Sequence, residues 1–179
     1  SYVGESGWEI YFNNDKDDGL ALYDSLLEVG VVPVGIETYA NSRRLEKSFR
    51  LQGADLETEY SAIEAAIQRP LVKEADFHGK AAHLSHRENE PCAILCTMTL
   101  DDLNVSGVPR YPVGISPIID PATGEVPIDS KGRRSYTTGM SYCPSIKKFV
   151  VMGYLPNNIA EVGKSLSMEY FNENGDGIY

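Results

Sequence analysis

Apolar residues recur at helical spacing early in the chain, at Leu20, Tyr23 and Leu27, with Leu22 and Leu26 beside them. That period predicts an amphipathic helix over about 17–29, entered from the turn residues Asn13-Asn14-Asp15 and ended by Gly30. Before it, Trp8 to Phe12 reads as a strand, and after it Val31-Val32-Pro33-Val34 reads as a short extended run. A second helix is predicted from about Ile36 to Lys47. Its apolar positions are sparse (Ile36, Tyr39, Ala40, Leu45), and it carries Arg43, Arg44, Glu46 and Lys47. Gly53 breaks the chain, and Glu57 to Ile67 reads as a further short helix stopped before Pro70.

The pattern changes after about Arg87. Ala93 to Leu100, Gly114 to Ile119, Arg134 to Met140, Phe149 to Leu155 and Ser165 to Phe171 are strand candidates. Asp101-Asp102, Pro121 to Gly124, Lys131-Gly132 and Pro156-Asn157-Asn158 are turns between them. Short strands at near-regular spacing imply a small barrel or sandwich. The reading is therefore α+β, with a boundary near 85–90: an α+β part over 1–85 and an all-β part over 86–179.

Composition narrows the functional classes. The chain has 179 residues, 42% hydrophobic and 9% aromatic, ordinary for a globular protein. No apolar run approaches the roughly 18 residues that span a membrane. A net charge of −10 argues against nucleic-acid binding, which needs a basic footprint, but leaves room for an anionic small ligand held by a few arginines. The three cysteines, Cys92, Cys96 and Cys143, are an odd number and imply a reduced compartment. Cys92 and Cys96 share a strand face about 13 Å apart, too far for a zinc pair and consistent with core packing. His83 and His86 sit in a polar stretch that reads as a solvated helix end. Nothing resembles a nucleophile with an adjacent base, a phosphate loop or a metal cluster.

The first ten residues hold the most specific chemistry. Gly4-Glu5-Ser6-Gly7 is a turn whose glycines permit positive φ, so it can present a carboxylate at a strand end. A carboxylate held there can accept paired hydrogen bonds from a flat heterocycle with adjacent N–H donors. The alternative is an ordinary hairpin turn with an exposed Glu. The opening reads as the interior of a longer polypeptide. The close, Asn174-Gly175-Asp176-Gly177-Ile178-Tyr179, reads as a turn into a further strand.

Five segments in order carry a family resemblance: Tyr2 to Tyr11 (Tyr-Val-Gly-Glu-Ser-Gly-Trp-Glu-Ile-Tyr); Arg44 to Arg50 with Gly53 and Asp55-Leu56; Ala62 to Ile67; Asp76-Phe77-His78-Gly79-Lys80 with Ala82; and Ser141 to Lys148 running into Met152 to Pro156. Together they resemble the glycine-cleavage T protein family of tetrahydrofolate-dependent aminomethyl and methyl transferases. That family includes the folate-binding C-terminal halves of dimethylglycine and sarcosine dehydrogenases. The resemblance implies an enzyme of three lobes around a folate cavity. This chain would supply the end of the folate lobe (about 1–85) and most of a C-terminal β-barrel (about 86–179), with its last strand missing. The catalytic aspartate of the family would lie outside it, so the chain alone is expected to be inactive. The resemblance further implies a small-molecule one-carbon donor, a missing N-terminal lobe, and a lipoyl carrier protein or a dehydrogenase domain as partner, the last with FAD on an upstream domain. It implies a cytoplasmic location, or the mitochondrial matrix in a eukaryote. Trp8 leans toward the dehydrogenase-linked members, and the Cys-Pro-Ser-x-x-Lys-Lys stretch leans toward T protein.

The same resemblance assigns folate-binding roles to Glu5 as pterin anchor, to Arg44 on the helix beneath, and to Arg110 as a contact for the folate tail. Glu46 lies about 200° from Arg44 around a helix and is read as structural. Trp8 and Tyr11 are read as core or cavity wall. Ser48 and Ala66 replace family glycines and Ala62 replaces a proline. These departures favour the second reading: a non-catalytic folate-binding or interaction module that kept the fold and lost the chemistry. A Lys-Gly-Cys-Tyr motif that marks a non-transferase branch is absent near Lys47 to Arg50.

Overall fold

The computed structural model describes residues 1–13, 18–101, 104–105, 108–109, 114–171 and 177–178. The expected cap residues Asn14 and Asp15, the site candidate Arg110 and most of the closing turn at 174–179 lie outside the described residues. Helix α1 spans Asp18–Glu28 and a π-helical segment spans Glu37–Arg43. The latter runs directly into one α-turn, α2, Arg44–Glu46. Helix α3 spans Lys80–Glu88, has no buried residue, and carries His83 and His86.

The strands follow: β1 Ala93–Leu100, β2 Asn104–Val105, β3 Val108–Pro109, β4 Ile118–Ile119, β5 Thr137–Cys143, β6 Lys148–Pro156, β7 Ser167–Met168, β8 Tyr170–Phe171 and β9 Gly177–Ile178. The main sheet is antiparallel in the order β1-β6-β5. Central β6 is buried from Val150 to Leu155, as expected of a strand covered on both faces. Ala93 and Leu95 share a face with Val150, Met152 and Tyr154, because Leu95 pairs with Tyr154. That face forms one core with Cys143 and, from the first part of the chain, Leu45 and Ala65. The other face, with Ile94, Cys96, Met98, Val151 and Leu155, borders a cavity of about 790 Å³ that Ile118 and Met168 also line.

The α+β class stands, but the small barrel is not closed among the described residues. β1 and β5 are sheet edges, and β2-β3, β4-β7 and β8-β9 are separate two-residue ladders. Three other expectations change. Residues 8–12 make no strand, since they find no partner ladder, and Trp8 is 96% exposed. Tyr11 is likewise exposed, so neither ring is core or cavity wall. The helix expected at 57–67 is one turn. Cys92 and Cys96 are only partly buried, and Cys143 is the cysteine in the core.

Why 57–67 shrinks to a turn is visible in its bonds. The Ser61 N–H donates to Glu64 Oε2 (2.8 Å) and the Glu64 N–H to Ser61 Oγ (3.2 Å), a capping box. Then Ala66 N–H donates to Ile63 O and Ile67 N–H to Ala62 O, with Ala66 at φ 54°. Start and stop signals thus lie one turn apart. The same pair of terminal bonds closes α1 at Gly30 (φ 89°) and the Arg44 turn at Ser48 (φ 55°). All three are Schellman motifs, which favour glycine at the left-handed position. Only the one that closes α1 has it.

A buried ion pair fastens the first part to the sheet. Arg44 is 1% exposed and Asp55 0%. Arg44 donates to Asp55 Oδ2, to Ala40 O (2.7 Å) and to Phe49 O (3.0 Å). Asp55 also accepts from Leu51 N–H (2.8 Å) and from the Thr138 hydroxyl. Thr138 reaches it because a bulge interrupts β5 between Thr137 and Gly139. Gly139 completes the fit: a Cβ there would stand 2.6 Å from Arg44 Nη2. Beside this pair, Tyr154 donates to Asp55 O (2.7 Å) and stacks on Tyr60 at 3.5 Å. Arg133 lies 4.3 Å above the Tyr60 ring and bridges Glu64 and Asp129.

Two predictions follow from these contacts. Ala66 is exposed and strained, so Ala66→Gly should stabilise the protein by about 0.5–1 kcal/mol. Ser48→Gly relieves similar strain but removes the oxygen that accepts from Thr97 Oγ1 (2.9 Å), so it should be nearly neutral. Urea unfolding of the two variants checks the contrast. The second concerns acid. Burial pushes the Glu64 carboxyl up, but hydrogen bonds from Arg133 and Ser61 and the Arg133 charge outweigh it and hold it at about 2, against an ordinary 4.5. A depressed carboxyl contributes stability that is full above its unfolded pKa and vanishes as pH falls through the folded one. Between pH 5 and 2 the native protein should therefore lose about 3 kcal/mol more than Glu64→Gln does. Unfolding midpoints of both proteins across that range measure the difference, and parallel curves would refute it.

Candidate functional site

The Gly4-Glu5 turn is built onto the end of α2. The Gly4 N–H donates to Ser1 O (3.2 Å), and Gly4 has φ 72°. A Cβ at Gly4 would stand 2.3 Å from Lys47 Cγ, so the aliphatic stem of Lys47 fills the space a side chain would need. Tyr2 holds the turn from the other side. Its hydroxyl donates to Arg50 O (3.2 Å), and its ring lies 5.4 Å from Tyr39 and 6.3 Å from Phe49. Glu5 is thereby presented at the surface, its side chain 53% exposed.

Adjacent arginines take different directions from here. Arg44 turns inward to Asp55, and its guanidinium is committed to the contact between helix and sheet. Arg43 turns toward the turn and donates to Glu5 Oε1 through Nη2. Its Nη1 donates to Glu46 Oε2 (2.9 Å) and to Ser145 Oγ (2.8 Å). Glu46 accepts from Ser145 N–H as well (2.9 Å), tying the helix to the hairpin between β5 and β6. Glu46 is thus structural, as its position around the helix implied. On the same side, Ser141 Oγ donates to Glu37 Oε1 (2.7 Å) and the Cys143 thiol to Ser42 O (3.3 Å).

Of the residues singled out in the sequence, Glu5 and Arg44 lie on neighbouring elements without a contact between their side chains in the bonds described, while Arg110 lies outside the described residues. Arg43 is the residue the sequence reading passed over. Its neighbour fell inside a family motif and Arg43 did not. The available signal was its position one residue before a buried arginine, where α-helical geometry aims it about 100° away. The arrangement offers one oriented, half-exposed carboxylate beside an aromatic group, suited to accepting hydrogen bonds from the edge of a planar ligand. Among the described residues no group of three His, Cys, Asp or Glu is placed to hold a metal ion, and no helix is long and apolar enough to cross a membrane.

Residues 1–74 match the GCVT N-terminal domain. Human mitochondrial dimethylglycine dehydrogenase is 31% identical over 97% of this chain, a region that makes up 19% of that protein. An aminomethyltransferase from Koribacter versatilis is 29% identical over 96% of the chain and 43% of its own length. The crystal structure of the glycine cleavage system aminomethyltransferase T from Bartonella henselae superimposes on 88% of the chain and 40% of its own, with a TM-score of 0.63 at 25% identity. The chain therefore spans about a fifth of the dimethylglycine dehydrogenases it matches and under half of these aminomethyltransferases. Residues 1–74 thus match the GCVT N-terminal domain, and the chain as a whole is similar to dimethylglycine dehydrogenases and to aminomethyltransferases of the glycine cleavage system.

Proposed function

We propose that this chain is the C-terminal part of a tetrahydrofolate-dependent aminomethyl or methyl transferase, with residues 1–85 closing a folate lobe and 86–179 forming a β-barrel domain. The two-sided burial of β6 and the cavity behind Ile94, Cys96 and Met98 support a sheet that curls around a second core. The observation that carries the functional reading is the Glu5 carboxylate, held on a turn where Gly4 takes positive φ with the Lys47 stem packed where a Cβ would stand, and left half-exposed. Such a carboxylate fits the paired N–H donors at a pterin edge. Bound tetrahydrofolate would supply a nitrogen that accepts the one-carbon unit. The protein's part is to orient it and exclude competing geometries. Arg44 acts beneath, by holding the helix that bears the site. Arg110 is the proposed contact for the anionic tail. The one-carbon donor, a lipoyl carrier or an FAD-bearing dehydrogenase domain would meet this surface from the rest of the polypeptide.

The non-catalytic alternative drew on Ser48, Ala62 and Ala66. Ser48 and Ala66 hold the left-handed backbone that glycine would adopt, so these two departures keep the local chain path, which both readings share.

The test is Glu5→Gln in the full-length polypeptide. Gln keeps the shape but presents a donor to a donor. A charge-assisted bond is worth about 1.5–3 kcal/mol, so tetrahydrofolate affinity should fall about 10- to 100-fold by calorimetry. The melting temperature should hardly move, because the carboxylate is exposed. Unchanged affinity would remove Glu5 from the site.

A further inference from the structure

Resting on the reading of Glu5 as the pterin anchor, we infer that Arg43 is the positioning residue that makes it one. Glu5 itself lies at the free end of the turn that Tyr2 anchors. The turn is closed by one backbone hydrogen bond of 3.2 Å, and residues 6–13 enter no ladder among the described residues. A carboxylate on such a turn samples several rotamers, and ordering one on ligand binding costs affinity. Arg43 removes that cost in advance. Its inner anchor is Glu46, whose side chain is only 5% exposed and is fixed in turn by the backbone of Ser145. Nη1 is held between Glu46 and the Ser145 hydroxyl, which aims Nη2 at Glu5.

The chain of constraint runs from the hairpin between β5 and β6, through Glu46 and Arg43, to the turn at Glu5. The ligand carboxylate in the first part of the protein is thus oriented by a loop of the second part. A planar fork is needed for this, since Arg43 serves two carboxylates and a hydroxyl at once. Lysine offers a point charge and does not reproduce it. Arg44 is no substitute, because its guanidinium is consumed by Asp55 and two backbone carbonyls.

A double-mutant cycle in the full-length polypeptide tests this, with tetrahydrofolate affinity read by calorimetry and melting temperature on the same samples. Arg43→Met should weaken binding about 5- to 10-fold. Arg43→Lys should weaken it by a smaller factor. In a Glu5→Ala background, Arg43→Met should change affinity less than about twofold, because its effect passes through Glu5. Equal losses in both backgrounds, or no loss in either, would overturn the inference while leaving Glu5 as the anchor. If the Met variant does not fold, Arg43→Lys is run through the same cycle with the same criteria. Full affinity in Glu5→Ala, or no binding by the wild-type protein, would instead sink the reading of Glu5, and this inference with it.

Discussion

The ion pair between Arg44 and Asp55 is the constraint on which the rest of the structure depends. Both side chains are removed from water, a placement that costs several kcal/mol per ion unless each charge is fully bonded. Here each is. Asp55 takes bonds from a guanidinium, a backbone N–H and a threonine hydroxyl, and Arg44 donates to two backbone carbonyls besides. Loss of one partner from such a pair costs about 3–5 kcal/mol, since the survivor is left charged and buried. The pair therefore dictates where the 37–65 segment meets the sheet, and two local irregularities serve it. The bulge in β5 aims Thr138, and Gly139 leaves the space its neighbour's guanidinium occupies.

That one docking has consequences at both ends of α2. It lays Leu45 and Ala65 against Leu95, Met152 and Tyr154, so residues from both sides of the 85–90 boundary share one core. It also sets the rotation of α2, which sends Arg43 sideways to Glu5 and Glu46 to the β5–β6 hairpin. The π-helical segment ahead of it has wider hydrogen-bond spacing, a feature found often at functional sites. The Glu5 carboxylate is thus tied, through Arg43, to the buried Glu46 and the hairpin between β5 and β6.

The first forty residues expose Trp8, Tyr11, Leu20, Tyr23, Val32 and Ile36. The helical period that predicted α1 is genuine, yet its apolar stripe meets no partner among the described residues, and no residue of α1 is buried. Amphipathic pattern encodes a face to be covered, not what covers it.

The sequence by itself determined the elements whose stability is local or whose pattern is strong. Strand β1 was legible to the residue and α1 to within a residue or two of both ends. That Ser48 and Ala66 stand where the resemblance has glycine was legible too, and both are left-handed in the structure. Tertiary structure decided the rest. Whether 8–12 pairs as a strand depends on a neighbour that alternation does not name. Residues 61–66 stop after one turn because their capping box and Schellman bonds close together in space. Arg43 and Arg44 are chemically identical neighbours, and only the position of Asp55 in the fold selects which is buried and which reaches Glu5. Local sequence sets backbone preference, worth tenths of a kcal/mol per residue. The choice between two arginines is made by burial and pairing worth several, and those terms exist only once distant segments have met.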